Sequence, residues 1–201
     1  MTQADAPPGP DAAWVVLETP LGAAALAVFC GELERLYRIN PFFEFASWNQ
    51  RAPDRFRAEV LNHSNGRRIV LEGIVTRASG NAWRVDYATG LKKSTRFEIQ
   101  PTPAGSRLTI TDDYGPTGTG AGAQEAEIDR SLHAWGVALK AYLERDRRWG
   151  WVPLFRPWMQ RVWLPMKPSA RRITFLILVI GLADVLLIAL GFAIYWLEAV
   201  L

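Results

Sequence analysis

The feature that most constrains this chain is a run of 25 residues near its end. From Ile173 to Leu197 it reads ITFLILVIGLADVLLIALGFAIYWL, with Asp184 as its one charged residue. As a helix it reaches roughly 37 Å, more than the hydrocarbon core of a bilayer at about 30 Å. Sixteen of its residues are Leu, Ile, Val or Phe. At about −0.3 to −0.6 kcal/mol each near the membrane centre, they outweigh the roughly +3 kcal/mol cost of one aspartate. Such a run is too long and too uniformly apolar for the core helix of a globular domain. It predicts a transmembrane helix over 173–201.

The flanks predict the orientation. Arg145, Arg147, Arg148, Arg156, Arg161, Lys167, Arg171 and Arg172 precede the span, with Asp146 as the single opposing charge, and no Lys or Arg follows it. Positive charge stays on the cytoplasmic side, so the N-terminal part is expected in the cytoplasm and the protein in the inner (cytoplasmic) membrane of a bacterial cell, single-pass and tail-anchored. Residues 1–12 are polar and Pro-rich. They have neither the basic start nor the apolar stretch of a signal peptide and read as a disordered arm. One cysteine, Cys30, excludes an intrachain disulfide and fits a reducing compartment.

Between domain and span, 148–172 interleaves Trp149, Trp151, Trp158 and Trp163 with basic residues and prolines. Indoles favour the headgroup layer, and each arginine near an anionic leaflet adds about 1 kcal/mol of attraction. The segment reads as an interfacial belt lying on membrane lipids, with Arg156, Arg161, Arg171 and Arg172 as its charged contacts; the alternative is a linker that packs back on the domain. Within the span, Gly181, Asp184 and Gly191 share one helical face. Small residues permit close approach, and an aspartate in lipid needs a partner, so this face predicts contact with another transmembrane segment or self-association.

Residues 13–147 read as an α+β domain. Trp14 to Glu18 is a short strand, and Ala23 to Arg38 has helical spacing up to the break at Asn40-Pro41. Phe42 to Trp48 is a strand or a second short helix. Arg55–Asn62, Arg68–Thr76, Ala82–Ala88, Lys93–Gln100 and Ser106–Tyr114 alternate in polarity and are joined by short turns, which predicts an antiparallel sheet. Gln124 to Asp146 is a long amphipathic helix with Ile128, Leu132, Trp135, Leu139, Tyr142 and Leu143 as its stripe. A curved sheet wrapped round one helix leaves a cavity. Its expected lining is Trp83, Val85 and Tyr87 from one strand, Leu108, Ile110 and Asp112 from another, and Trp135, Leu139 and Tyr142 from the helix. Asp112 continues the inward register of Leu108 and Ile110, whereas Arg84, Asp86, Arg96 and Glu98 fall on the wet face.

This order of elements, the stretch INPFFEFASW after the first helix, RLTITDDYGPTG at the end of the sheet and the long last helix resemble the START-like helix-grip superfamily, the SRPBCC group of polyketide cyclase/dehydrase and lipid-transport proteins. The resemblance covers Trp14 to Arg147. It implies a helix-grip fold and a hydrophobic pocket for a lipid, isoprenoid, quinone, sterol or polyketide, with or without catalysis. A subset of that superfamily, resembling an accessory protein of carbon monoxide dehydrogenase, also carries a membrane tail, but the Gly-rich opening motif of that subset is missing here.

Little else points to catalysis. His63 and His133 are isolated, no Cys/His cluster has metal-ligand spacing, and no Ser elbow or Walker loop occurs. The run GPTGTGAG over Gly115–Gly122 lacks the Lys and Ser/Thr of a phosphate loop and reads as a strand-to-helix connection. The expectation is a membrane-tethered binding protein for an apolar ligand, with no cofactor, metal or nucleic acid. The alternatives are an accessory subunit docked through its transmembrane helix, or a cyclase/dehydrase-type enzyme. The topology has a direct test. In sealed inside-out vesicles, added protease is expected to digest the region from Arg55 to Asp146. Protection there, with digestion only after detergent, reverses the orientation.

Overall fold

The computed structural model describes residues 12–78, 81–90, 92–115 and 122–200, without the side chains of 122–130, 168 and 198–200. The proposed N-terminal arm up to residue 11, the Ser79-Gly80 turn and most of the Gly115–Gly122 run lie outside the described residues, as does the side chain of Ile128. Seven strands form one sheet: β1 (Ala12–Thr19), β2 (Phe43–Ala52), β3 (Arg55–Asn62), β4 (Arg67–Arg77), β5 (Ala82–Tyr87), β6 (Ser94–Thr102) and β7 (Gly105–Asp113). The order is β1-β7-β6-β5-β4-β3-β2, with every neighbouring pair antiparallel. The sheet is a meander from β2 to β7, closed by β1 returning beside β7.

Period-two alternation sets which face each residue takes. In β3, Phe56, Ala58 and Val60 are buried, and in β7 Ser106, Leu108, Ile110 and Asp112 are. The outward residues pair across the wet face, Arg84 with Asp86 at 2.6 Å and Arg96 with Glu98 at 2.6 Å. Such exposed pairs contribute little stability.

The first helix is two helices. α1 (Ala23–Gly31) and α2 (Leu33–Arg38) meet at Glu32, whose φ −80°, ψ 74° is not helical. Gly31 is the weak point, since glycine is about 1 kcal/mol poorer than alanine in a helix. The break lets both pieces bury their apolar residues: Leu26, Phe29 and Cys30 from α1, and Leu33, Leu36 and Tyr37 from α2. Phe43 to Ala52 is strand, not helix, with register shifts at Phe45/Ser47 and Gln50/Ala52.

The long helix α3 (Gly122–Trp149) lies across the sheet. Leu132, Trp135, Leu139, Tyr142 and Leu143 enter one core with Leu17, Val85, Phe97, Leu108 and Ile110. Gly136 sets the distance of closest approach to β1. A Cβ placed there would stand 2.6 Å from Val15 Cγ2.

Two short turns of helix follow, α4 (Phe155–Trp158) and a π turn over Met159–Trp163. One compact unit ends at Pro165, and the second covers Met166–Leu201. The second unit is α5 (Pro168–Val200), within which Ser169–Leu197 has a mean hydropathy of 2.8 and is long and apolar enough to cross a membrane.

The close approach at Gly136 gives a prediction with an unusual sign. Glycine to alanine inside a helix ordinarily stabilises by about 1 kcal/mol. Here Gly136→Ala is expected to lower stability by about 1 kcal/mol or more through overpacking, and a second change, Val15→Ala, to relieve it. Thermal unfolding of the full-length protein in detergent reads both; a raised Tm for Gly136→Ala contradicts the close contact.

Candidate functional site

At the sheet end formed by the close of β3, β5 and β7 and the start of β4 and β6, the space between sheet and helix is not filled. It is a cavity of about 700 Å³. Its walls include Tyr37 of α2, Phe43 of β2, Ile69, Val70 and Leu71 of β4, Tyr87 of β5, Tyr114, and Leu132 and Trp135 of α3. Asn62, Ser64, Asn65 and Arg67 of the β3–β4 hairpin add a polar rim. Farther along the groove aromatic rings take up the room. Trp48 stacks on Phe56 at 4.6 Å and Trp83 on Phe97 at 5.2 Å, and Trp135 meets Tyr37 at 5.4 Å and Phe97 edge-on at 6.1 Å.

This packing sorts the residues expected to line the cavity. Tyr87, Asp112 and Trp135 line it. Trp83, Val85, Leu108, Ile110, Leu139 and Tyr142 do not. Val85, Leu108, Ile110 and Leu139 are fully buried core, Trp83 is committed to its stack with Phe97, and Tyr142 accepts hydrogen bonds from Arg35 Nε and Nη2 at 3.1 and 2.9 Å. The aromatic fill is the reason: rings close the far part of the groove.

The inner end of the cavity is ionic. Asp112 is 2% exposed, and its carboxylate accepts from Lys92 Nζ at 2.5 Å, Thr95 Oγ1 at 2.6 Å and Tyr114 Oη at 3.3 Å. Tyr87 Oη bonds Thr95 Oγ1 at 3.0 Å and also bonds Tyr37 Oη. The Lys92 ammonium lies 5.8 Å from the centre of the Tyr87 ring and 6.0 Å from that of Trp135. Burial alone would lower the Lys92 pKa, but the adjacent Asp112 carboxylate, with Tyr87 and Tyr114, carries it above the ordinary lysine range. Burial raises Tyr37, Tyr87 and Tyr114, so all three hydroxyls keep their protons at neutral pH.

Sequence reasoning found Asp112 by its register but missed Lys92, Tyr37 and Tyr114. A signal for Lys92 existed. A carboxylate carried inside by the β7 register requires a partner, and the adjacent strand begins just after Lys92-Lys93, of which alternation sends one inward.

The belt residues divide as well. Trp158 and Trp163 face each other at 5.5 Å, half-buried against the core, and Met159 and Leu164 beside them are buried. Arg156 pairs with Asp146 at 3.3 Å, and Arg145 lies over Trp163. This stretch therefore packs back on the domain, because two apolar side chains draw it in. Trp149, Trp151 and Leu154 stay exposed, Trp151 at 77% and Leu154 at 78%. Arg161 is exposed, and Arg171 and Arg172 belong to α5. Gly181, Asp184 and Gly191 are exposed on α5, with nothing within 4 Å of a Cβ built at either glycine. His63 pairs with Glu44 at 2.9 Å, His133 is exposed, and no cluster of three metal-ligating side chains occurs among the described residues.

No protein-family model matches the chain, and no curated protein matches it. Solved structures do match. A START superfamily protein from Mycobacterium smegmatis superposes with a TM-score of 0.56 at 17% identity, over 67% of this chain and 97% of that one. The Zhui aromatase/cyclase from Streptomyces sp. R1128 gives 0.57 at 12% identity, over 70% and 97%. A protein from Thermus thermophilus gives 0.52 at 14% identity, over 66% and 96%. The chain has the START-like helix-grip fold. At these identities it is the fold that is shared. In helix-grip terms, α3 is the gripped helix, and the cavity lies under its N-terminal half.

Breaking the ion pair tests the inner end of this helix-grip cavity. Asp112→Leu leaves Lys92 without its carboxylate and is expected to cost about 3–5 kcal/mol, while Lys92→Met/Asp112→Leu recovers most of the loss. Thermal unfolding of the full-length protein reports both, and equal losses in the two variants contradict a coupled pair.

Proposed function

We propose that this protein holds an apolar ligand in its helix-grip cavity at the surface of a membrane to which α5 anchors it. The observation that carries the reading is the open space of about 700 Å³ walled by Tyr37, Phe43, Ile69, Leu71, Tyr87, Leu132 and Trp135. Ligand sites are mostly apolar concavities of this size with a few placed polar groups. An unfilled volume of this kind costs packing energy unless something occupies it. A lipid, isoprenoid or quinone-class molecule fits both the walls and a bilayer source. The aromatase/cyclase among the similar folds supports an organic ligand.

The anchor adds effective concentration, since a tethered domain samples a small volume beside the leaflet. The basic flank before α5 supports a cytoplasmic position for the domain and an inner-membrane location. Exposed Trp149, Trp151 and Leu154, beside Arg147, Arg148 and Arg156, are the part of the belt left available for lipid headgroups. The Gly181–Asp184–Gly191 face supports a transmembrane partner or a second copy, and with it an accessory-subunit role. Catalysis has less support: the one ion pair is spent on internal hydrogen bonds, and no second acid/base group stands opposite it among the described residues of the cavity.

Native mass spectrometry of the detergent-extracted full-length protein tests the reading. An apolar molecule is expected to copurify, and Ile69→Trp, which fills the cavity from β4, to remove it. An empty protein that retains a stoichiometric membrane partner through Asp184 favours the accessory role.

A further inference from the structure

We infer that the cavity selects an uncharged apolar molecule bearing a carbonyl-type oxygen, which accepts a hydrogen bond from Lys92 Nζ. This rests on the ligand-binding reading above and adds which chemical group the inner end recognises.

The argument is an inventory of protons. The Asp112 carboxylate only accepts, so Thr95 donates its single proton to Oδ1. Thr95 Oγ1 must then accept from Tyr87, which uses the Tyr87 proton. Tyr37 must in turn donate to Tyr87. Tyr114 donates to Asp112 Oδ2, and Trp135 Nε1 donates to the carbonyl of Leu36 at 3.1 Å. Four hydroxyls and an indole are thus committed, and none has a proton left for a ligand. The Lys92 ammonium has three protons, and Asp112 is its one acceptor among the described residues. Its remaining donors sit against the cavity-lining rings of Tyr87 and Trp135. The inner end therefore presents donors at one atom only. It calls for an acceptor.

Charge narrows the choice further. Lys92 and Asp112 sum to zero, and the tyrosines around them are neutral. Arg67, the other charged residue of the lining, belongs to the exposed hairpin. A ligand carboxylate or ammonium at the inner end would bring a charge with no counter-ion, which burial penalises heavily. A hydroxyl would bring a further donor toward an Asp112 that already has three. A ketone, quinone or ester oxygen accepts from Lys92 and adds neither charge nor proton.

The experiment compares undecyl methyl ketone, tridecane and tridecanoic acid on the full-length protein in lipid nanodiscs. Affinities are corrected for partition into protein-free discs, and an isotope label on the ketone carbonyl is followed by infrared spectroscopy. The ketone is expected to bind about tenfold or more tighter than tridecane, since a hydrogen bond to a charged donor is worth at least that factor. It is also expected to bind tighter than the acid, and its carbonyl stretch to fall on binding. In Lys92→Met/Asp112→Leu the ketone preference and the carbonyl shift both disappear. Equal affinity for ketone and tridecane in the unaltered protein overturns the carbonyl inference and leaves the cavity reading standing. Preference for the acid overturns the charge argument. Binding of none of the three overturns the cavity reading together with this inference.

Discussion

Trp135 is the contact on which the arrangement of helix, sheet and cavity depends. It is 2% exposed, and its ring meets Tyr37 of α2 and Phe97 of β6. Its indole N–H is bound to the end of α2 through Leu36, and its face is turned to Lys92. One side chain thus ties α3 to α2, to the sheet and to the buried ion pair. Aromatic pairs of this kind contribute about 0.5–1.5 kcal/mol beyond the area they bury. On the far side of this ring the groove is packed, and on the near side it is open.

The buried ion pair is costly by itself. Taking lysine and aspartate out of water is often no better than packing two apolar side chains in their place. What it provides is definition. With Asp112 holding three donors, the hydroxyls of Thr95, Tyr87 and Tyr37 have one consistent orientation. The inner end of the cavity is therefore rigid in its hydrogen bonding, although its walls are ordinary tyrosine and tryptophan. The outer end is different in kind, a hairpin rim of Asn62, Ser64, Asn65 and Arg67.

Much of this is legible in the sequence because strands repeat every two residues. The alternation in RFRAEVLN and in SRLTITDD decides which side chains enter the core, and it alone places Asp112 inside. Turn chemistry and short connections make the antiparallel order readable. Three things are not local, and so are not readable. The break at Glu32 depends on both α1 and α2 finding the same core. The division of candidate lining residues into packed and open depends on how Trp48, Phe56, Trp83 and Phe97 stack across strands. The fate of Trp158 and Trp163 depends on Met159 and Leu164 reaching the core, which composition alone, rich in Trp and Arg, does not reveal.

The length of α5 has a consequence beyond anchoring. Its apolar part, Ser169–Leu197, is 29 residues, about 43 Å of helix against roughly 30 Å of hydrocarbon. A surplus of this size is absorbed by leaning the helix or by stretching the surrounding acyl chains, each at a fraction of a kcal/mol per Å. The anchor therefore carries a thickness preference as well as a membrane address. In a bilayer of uneven composition it is driven toward the thicker regions, and the domain it carries is gathered there with it.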